Sequence, residues 1–364
     1  MSPHDVIELQ GSHREIGWQH GCAQRKRIQA FLDDRLARIN AVMPQPTSLA
    51  ALAPTLQAYR RVIGGVMPQM IEEVDGLAEG AQISADAALL LQLRREITGY
   101  SRIAAGGDCT TLTAAPGAEP LLAQTIDLNG AMASELSLLR ITHSAGARRV
   151  LMVSFTGLVG YLGMNDRGLA IGLNLLLAAN WRPGIPGYMA IRYLLDQADS
   201  VDHALALLRP LPLASSRSFT LCDAQRSVVV ECLPGRLHEL PSTVRAHTNH
   251  FLAPELARLD QINPFAKTSS IRRLDACHRW LQQRDRQAGG QIGADSVFEL
   301  FAVPPVFVGA SDDVRREATV AAVVMQPSKG VLQLRSHPTR GTTVFHVAPD
   351  SPQPTIRSTE CLTS

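Results

Sequence analysis

The feature that most constrains this chain is an abrupt change of pattern at Gly106-Gly107-Asp108-Cys109-Thr110-Thr111-Leu112. Before it, about a hundred residues repeat their apolar positions at helical spacing, and after it short β-branched runs follow one another between Gly, Pro and Asn turns. The first part opens with a short strand, Val6–Gln10. A long helix over Ser12–Val42 follows, with Ser12 as N-cap and Glu15 three residues on, then helices over Leu49–Val62, Pro68–Glu79 and Ser84–Thr98. After Cys109, strands are expected at Thr110–Ala114, Leu121–Asp127, Glu135–His143, Arg149–Phe155, Tyr161–Asn165 and Gly168–Leu176. Helices at Met189–Ala198 and Val201–Leu208 interrupt the series. Strands Ser218–Cys222, Ser227–Cys232 and Thr243–His247, helices Ser269–Arg284 and Ala294–Phe301, and a last meander (Thr319–Gln326, Gly330–Ser336, Thr342–Val347) complete it. Strands in runs and helices in groups define an α+β class and argue against a doubly wound sheet. The tail from Pro349 is rich in Pro, Ser and Thr and is expected to be loose.

Composition narrows the function. The 364 residues are 45% hydrophobic and 19% charged, which is enough for a sizeable core. A net charge of +2 with scattered basic residues gives no nucleic-acid footprint. No apolar run reaches membrane-span length, and the N-terminus lacks the basic and apolar regions of a secretory signal. The six cysteines (22, 109, 222, 232, 277 and 361) show no CxxC pairing. They read as reduced thiols of a cytoplasmic protein with no metal site.

Cys109 stands at the junction, and an N-terminal cysteine carries both parts of a catalyst. Its thiol attacks, and its own α-amino group, with a pKa of roughly 7.7–8.0, takes the proton. An internal cysteine has no such base, so the position suggests a chain that cuts itself before Cys109. On position alone a buried strand cysteine is the better reading of Cys109; the surrounding motif and its partners reverse it.

Four segments, in order, resemble the acyl-CoA:6-aminopenicillanic acid acyltransferase family of N-terminal-nucleophile (Ntn) hydrolases. They are Glu15-Ile16-Gly17-Trp18-Gln19-His20-Gly21, Asp108-Cys109-Thr110-Thr111, Ala123-Gln124-Thr125-Ile126-Asp127 and His247-Thr248-Asn249-His250. A weaker match joins Gly163-Met164-Asn165, Gly168–Asn174 and Pro186–Arg192. The resemblance spans about residues 5–350. It implies a four-layer αββα sandwich made as a precursor and cut between Asp108 and Cys109. The helical segment 1–108 and the β-rich segment 109–364 would then stay together as one structural domain.

The same resemblance assigns Cys109 as nucleophile, Asp127 as partner of the new α-ammonium group and Asn249 as oxyanion donor. Their ordinary alternatives are a strand cysteine, a turn aspartate and a loop asparagine. Thr110 and Asn174 are candidates for the substrate pocket; a polar side chain late in the apolar strand Leu169–Leu176 needs a partner. His20 reads as a packing contact. If 247–250 is extended, alternation puts His247 on the face of Asn249 and His250 on the other. The chain departs from the family twice. Asp108 stands where glycine precedes the scissile bond, and the late arginine has no clear equivalent near Val306–Asp313, with Arg315 and Arg316 following. The expected chemistry is cleavage or transfer of an acyl group through a Cys109 thioester. The substrate is a small N-acyl amide or an acyl-CoA, with coenzyme A as donor substrate and no cofactor. Homo-oligomerisation is compatible with this reading. The alternatives are an uncut binding relative and an uncut Cys–His thiol hydrolase with His247 as base.

Overall fold

The structure, a computed structural model, describes residues 6–99, 109–114, 119–129, 131–146, 148–178, 181–286, 292–336 and 341–348. Asp108, the Gly106-Gly107 pair and the tail from Pro349 lie outside the described residues. The chain begins with β1 (Val6–Gly11) and α1 (His13–Asp33), then α2 (Ile39–Val42), α3 (Leu49–Val66), α4 (Pro68–Ala81) and α5 (Ala85–Thr98). Ser12 starts α1 with both halves of the expected capping box: its hydroxyl accepts from Glu15 N–H, and the Glu15 carboxylate accepts from Ser12 N–H. The helix does not continue to Val42 as expected. Arg35–Arg38 take left-handed backbone angles. Arg38, no longer a helix-surface residue, bonds Asp34 Oδ2, Ala131 O and Glu135 Oε1, and Arg94 caps Ala37 O. Tertiary anchoring thus overrides local helical preference.

Helices α1 and α4 meet through glycine. A Cβ on Gly17 would lie 1.9 Å from Glu73 O, and one on Gly21 2.4 Å from Leu77 O. Conversely, Gly76 faces Arg14 O at 2.2 Å and Gly80 faces Trp18 O at 2.1 Å. Only glycine lets the two backbones come this close, and four of them, spaced four apart on each helix, form a continuous seam.

After Cys109 come β2 (Thr111–Thr113), β3 (Leu122–Leu128), β4 (Leu136–His143), β5 (Arg149–Phe155), β6 (Leu162–Asn165) and β7 (Ala170–Leu175). Next are α6 (Gly187–Gln197), α7 (Val201–Leu208), β8 (Arg217–Cys222), β9 (Ser227–Leu233), β10 (Arg236–Glu239) and β11 (Ala246–His247). The chain ends with α8 (Pro254–Ala257), α9 (Pro264–Asp285), α10 (Ala294–Phe301), β12 (Ala318–Gln326), β13 (Val331–Arg335) and β14 (Thr343–His346). Strand β10 was not foreseen, and the strand expected from Thr243 shrinks to two residues. Helix α9 starts five residues earlier than expected. Asn263 caps it by accepting from Ala266 N–H, and Pro264 takes the first position, where its missing N–H costs nothing.

The strands form two sheets. One has eight strands in the order β1-β4-β5-β6-β7-β8-β9-β10, and the other has six in the order β11-β2-β3-β12-β13-β14. All pairings are antiparallel except β1 with β4. The sheets face each other through β2, β3, β7 and β8. There Gln124 of β3 bonds both Leu173 N and Leu173 O of β7, and Gly172 leaves room for it. Helices α1 and α6 pack on the eight-stranded sheet, and α9 and α10 on the six-stranded one, giving four layers, αββα. The N-terminal helices are part of this body. Arg192 of α6 bonds Glu73 of α4, and Arg217 of β8 bonds Glu96 of α5, with all four side chains buried.

Candidate active site

Cys109 lies just before β2, beside the end of β3. Its Sγ donates to Asp127 O at 3.5 Å and accepts from Asp127 N–H at 3.4 Å. Neighbouring strands in register bring the two residues, 18 positions apart in sequence, side by side: Thr111 pairs with Gln124. Thr125 ties the corner together. Its hydroxyl accepts from Thr110 N–H (3.0 Å) and donates to Asp127 Oδ2 (3.1 Å).

The carbonyl of Cys109 is held from two sides. Asn174 Nδ2 of β7 donates to it at 2.9 Å and Arg273 Nη1 of α9 at 2.8 Å. Arg273 Nη1 also reaches Thr110 Oγ1 (3.0 Å), and Nη2 reaches Asn249 Oδ1 (3.0 Å). One buried guanidinium therefore joins the Cys109 backbone to the Asn249 side-chain amide. Asn249 Nδ2 donates one proton to Leu175 O at 3.0 Å, and a primary amide carries a second. Burial pushes the Cys109 thiol well above its ordinary pKa, and the Asp127 carboxylate adds to this; the Asp127 N–H and Arg273 oppose it. Such a thiol is inert until a base is placed beside it.

The sequence-derived set therefore converges: Cys109, Thr110, Asp127, Asn174 and Asn249 share one buried hydrogen-bonded unit. Thr110 and Asn174, the candidates for the substrate pocket, are fully buried beside Cys109. Asn174 accepts from Thr111 Oγ1 (2.8 Å) and orients the Cys109 peptide. Arg273 was missed. It falls in the buried register of α9 with Ser270, Leu274, Cys277 and Leu281. An arginine on a helix's apolar stripe was the available signal. Arg315, weighed as the family's late arginine, is paired with Asp313 at 2.9 Å on an exposed loop. Val308–Asp313, Arg315, Arg316 and Glu317 line an open groove of about 1080 Å³ together with Asn263–Ala266. Glu317 is close enough to act on the Cys109 thiol electrostatically. On the other flank, Tyr161, Tyr188, Leu128 and Asn129 line a cavity of about 70 Å³ with residues of α1 and α5.

Both ring nitrogens of His247 are engaged. The segment after it turns, so alternation does not apply. Its Nε2 lies 2.9 Å from Glu231 Oε1 and its Nδ1 2.8 Å from Thr248 O. His250 is likewise held by Ser270 Oγ at 2.7 Å. Both imidazoles brace the loop that presents Asn249. Cys109, Cys222, Cys232 and Cys277 are free thiols, whereas Cys22 is disulfide-bonded, which corrects the expectation of reduced cysteines throughout. Among the described residues no helix is long and apolar enough to cross a membrane.

Two face-packed sheets between helical layers, with the six-stranded one beginning at a buried cysteine, define the Ntn-hydrolase fold. The same fold is seen in a point mutant of conjugated bile acid hydrolase from Clostridium perfringens (TM-score 0.50, 12% identity, 65% of this chain and 92% of that one). Penicillin V acylase from Agrobacterium tumefaciens aligns over 65% of this chain and 86% of its own, with a TM-score of 0.47 and 17% identity. The family model for acyl-coenzyme A:6-aminopenicillanic acid acyl-transferase matches residues 114–340, well over half the chain, and the chain belongs to that family. The 40 kDa form of acyl-coenzyme A:6-aminopenicillanic-acid-acyltransferase from Emericella nidulans is 26% identical over 262 residues, 71% of this chain and 72% of the relative. An uncharacterized protein of Archaeoglobus fulgidus is 23% identical over 232 residues, 56% of this chain and 38% of that protein. Membership of that family supports an enzyme of acyl transfer.

Proposed function

We propose that the chain is a self-processing cysteine Ntn enzyme that cleaves or transfers the acyl group of a small N-acyl amide or acyl-CoA through a Cys109 thioester. The observation that carries this reading is the clamp on the Cys109 carbonyl by Asn174 and Arg273, with Asp127 at the thiol. In the precursor, Cys109 Sγ attacks the carbonyl carbon of Asp108, and the peptide nitrogen leaves as an amine. The N-to-S acyl shift gives a thioester, which water hydrolyses. The new α-amino group supplies the base that the buried thiol lacks, and Asp127 balances its charge when protonated. Segments 1–108 and 109–364 then remain associated through the pairing of β1 with β4 and the buried Arg192–Glu73 and Arg217–Glu96 pairs.

In the second reaction the α-amine takes the thiol proton and Sγ attacks the substrate carbonyl. The oxyanion receives the second N–H of Asn249. The leaving group takes the proton back, and acyl-Cys109 forms. Water resolves it to the acid, or an amine to a new amide. The groove beside Glu317 is open enough for the leaving group and the acceptor. Against the uncut Cys–His alternative stands the engagement of both His247 ring nitrogens, by Glu231 and Thr248 O.

Intact mass of the purified protein under denaturing conditions tests the processing step. Residues 1–108 are 108 of 364, so about 12 of the 39.4 kDa, leaving about 28. Wild type is expected as these two fragments and Cys109→Ala as one chain. A single 39.4 kDa species in both would remove the self-processing reading.

A further inference from the structure

A second cluster of reactive side chains lies where α1 begins, β4 ends and α6 ends. His13 Nδ1 is 2.7 Å from Glu73 Oε2, and His143 Nε2 is 2.9 Å from Asp196 Oδ1. The two imidazole rings are 4.8 Å apart, centre to centre. One ring nitrogen from each and a carboxylate oxygen of Asp196 all lie within 4.8 Å of one another. Both carboxylates are buried, while the histidines reach a surface pocket of about 570 Å³. The Cys109 chemistry uses none of these groups.

We propose that His13, His143 and Asp196 bind one divalent transition-metal ion of the zinc class, with Glu73 orienting His13 and solvent completing the coordination. Three features of the cluster argue for it. An imidazole that gives one nitrogen to a carboxylate has its tautomer and ring direction set for ligation through the other, the usual outer support of a metal-bound histidine. His13 is held this way by Glu73. Second, the buried charge is unbalanced. Glu73 and Asp196 share a single guanidinium, Arg192, which bonds Glu73 at 2.6 Å and Asp196 at 2.9 Å. With neutral imidazoles the four side chains and Arg192 sum to one negative charge. Nearby Arg148 is paired with Asp199 and Arg167 with Asp166, and Glu72 adds a further carboxylate to the pocket wall. Third, the geometry is close. Donors at 2.0–2.1 Å from a tetrahedral zinc are about 3.4 Å apart. His143 Nε2 and Asp196 Oδ1 are already near that spacing, and His13 needs to move by roughly an ångström. Two imidazoles and a carboxylate select zinc, cobalt, nickel or copper over magnesium or calcium.

The site would join α1, which precedes the proposed cut, to β4 and α6, which follow it. It does not depend on that cut, and its test does not use activity. Chelator-stripped full-length protein is titrated with Co²⁺ and followed by visible absorption. One equivalent should bind, with the d–d bands of low-coordinate cobalt and no thiolate charge-transfer band. His13→Gln and His143→Gln, whose amides can keep the bond to Glu73 or Asp196, should each weaken binding by at least about a hundredfold. Added Zn²⁺ should raise the melting temperature of the stripped wild type and leave both variants unmoved. If His143→Gln does not fold, His13→Gln at the helix start carries the comparison. No saturable Co²⁺ binding by wild type, a thiolate band, or unchanged binding in a folded histidine variant would overturn the proposal.

Discussion

Gly17→Ala should weaken the protein, although alanine is the better helix former. The added Cβ would lie 1.9 Å from Glu73 O, where ordinary contact begins near 3.4 Å. The obstacle is backbone, so no side chain can rotate away. Helices α1 and α4 must part by roughly 1.5 Å at that point, and the neighbouring contacts at Gly21, Gly76 and Gly80 loosen with it. Overpacking of this kind costs about 3 kcal/mol at the upper end of its usual range. Alanine returns about 1 kcal/mol of helix propensity. The net is a loss of about 2 kcal/mol, or about 3 °C in melting temperature for a chain of this size. Gly64→Ala in α3 is the matched control. Its Cβ meets nothing nearer than Ile71 Cγ1 at 3.7 Å, so only the propensity gain of up to about 1 kcal/mol should remain. Differential scanning calorimetry of wild type and the two variants decides between them. If Gly17→Ala melts at or above wild type, beside a stabilised Gly64→Ala, the steric argument for the seam is refuted.

Asn249→Ala should lower kcat by about 100- to 1000-fold on any amide that the wild type turns over, with little change in KM; an equal rate would remove Asn249 from the chemistry. Arg273→Lys keeps a cation but not the fork that reaches Cys109 O, Thr110 and Asn249 together, so a kcat loss of about tenfold or more is expected in steady-state assays. The acid limb of stability should carry a contribution from His20. Burial pushes this imidazole down to about 4, whereas the unfolded chain titrates near 6.5. Between those values the unfolded state binds the extra proton. The cost to the fold is therefore absent above pH 6.5 and grows to about 3 kcal/mol as the pH falls to about 4. Urea unfolding of His20→Gln across this range should show a flatter slope than wild type.

Much of the site is legible in the sequence because it is local. Cys109, just before β2, and Asp127, near the end of β3, are brought together by one antiparallel pairing, and Asn249 follows a two-residue strand in a distinctive run. The capping box at Ser12 and the α+β division at residue 109 are equally local. Arg273 was hidden for a physical reason. Its helix was read as starting at Ser269, and a long cationic side chain on a helix is usually solvated. Only the three-dimensional meeting of α9 with β11 and the residues before β2 shows that its head group has three buried acceptors. The end of α1 at Asp33 was invisible for the same kind of reason, since the acceptors of Arg38 lie some hundred residues away. The histidines of His247-Thr248-Asn249-His250 invited a catalytic role. Their partners, Glu231 for His247 and Ser270 for His250, sit on a different strand and on α9 and carry no local mark.

The clamp on the Cys109 carbonyl has a consequence for when the protein can mature. One of its donors, Asn174, lies 65 residues after Cys109, and the other, Arg273, lies 164 residues after it. A nascent chain that has only just exposed the Asp108–Cys109 bond cannot hold that carbonyl. If the proposed scission needs Cys109 held by this clamp, it waits until α9 has left the ribosome and docked. A truncated chain, or one that misplaces its last third, would keep its bond and stay silent. Self-cleavage would then serve as the protein's own certificate of correct assembly, issued only to chains that have finished folding.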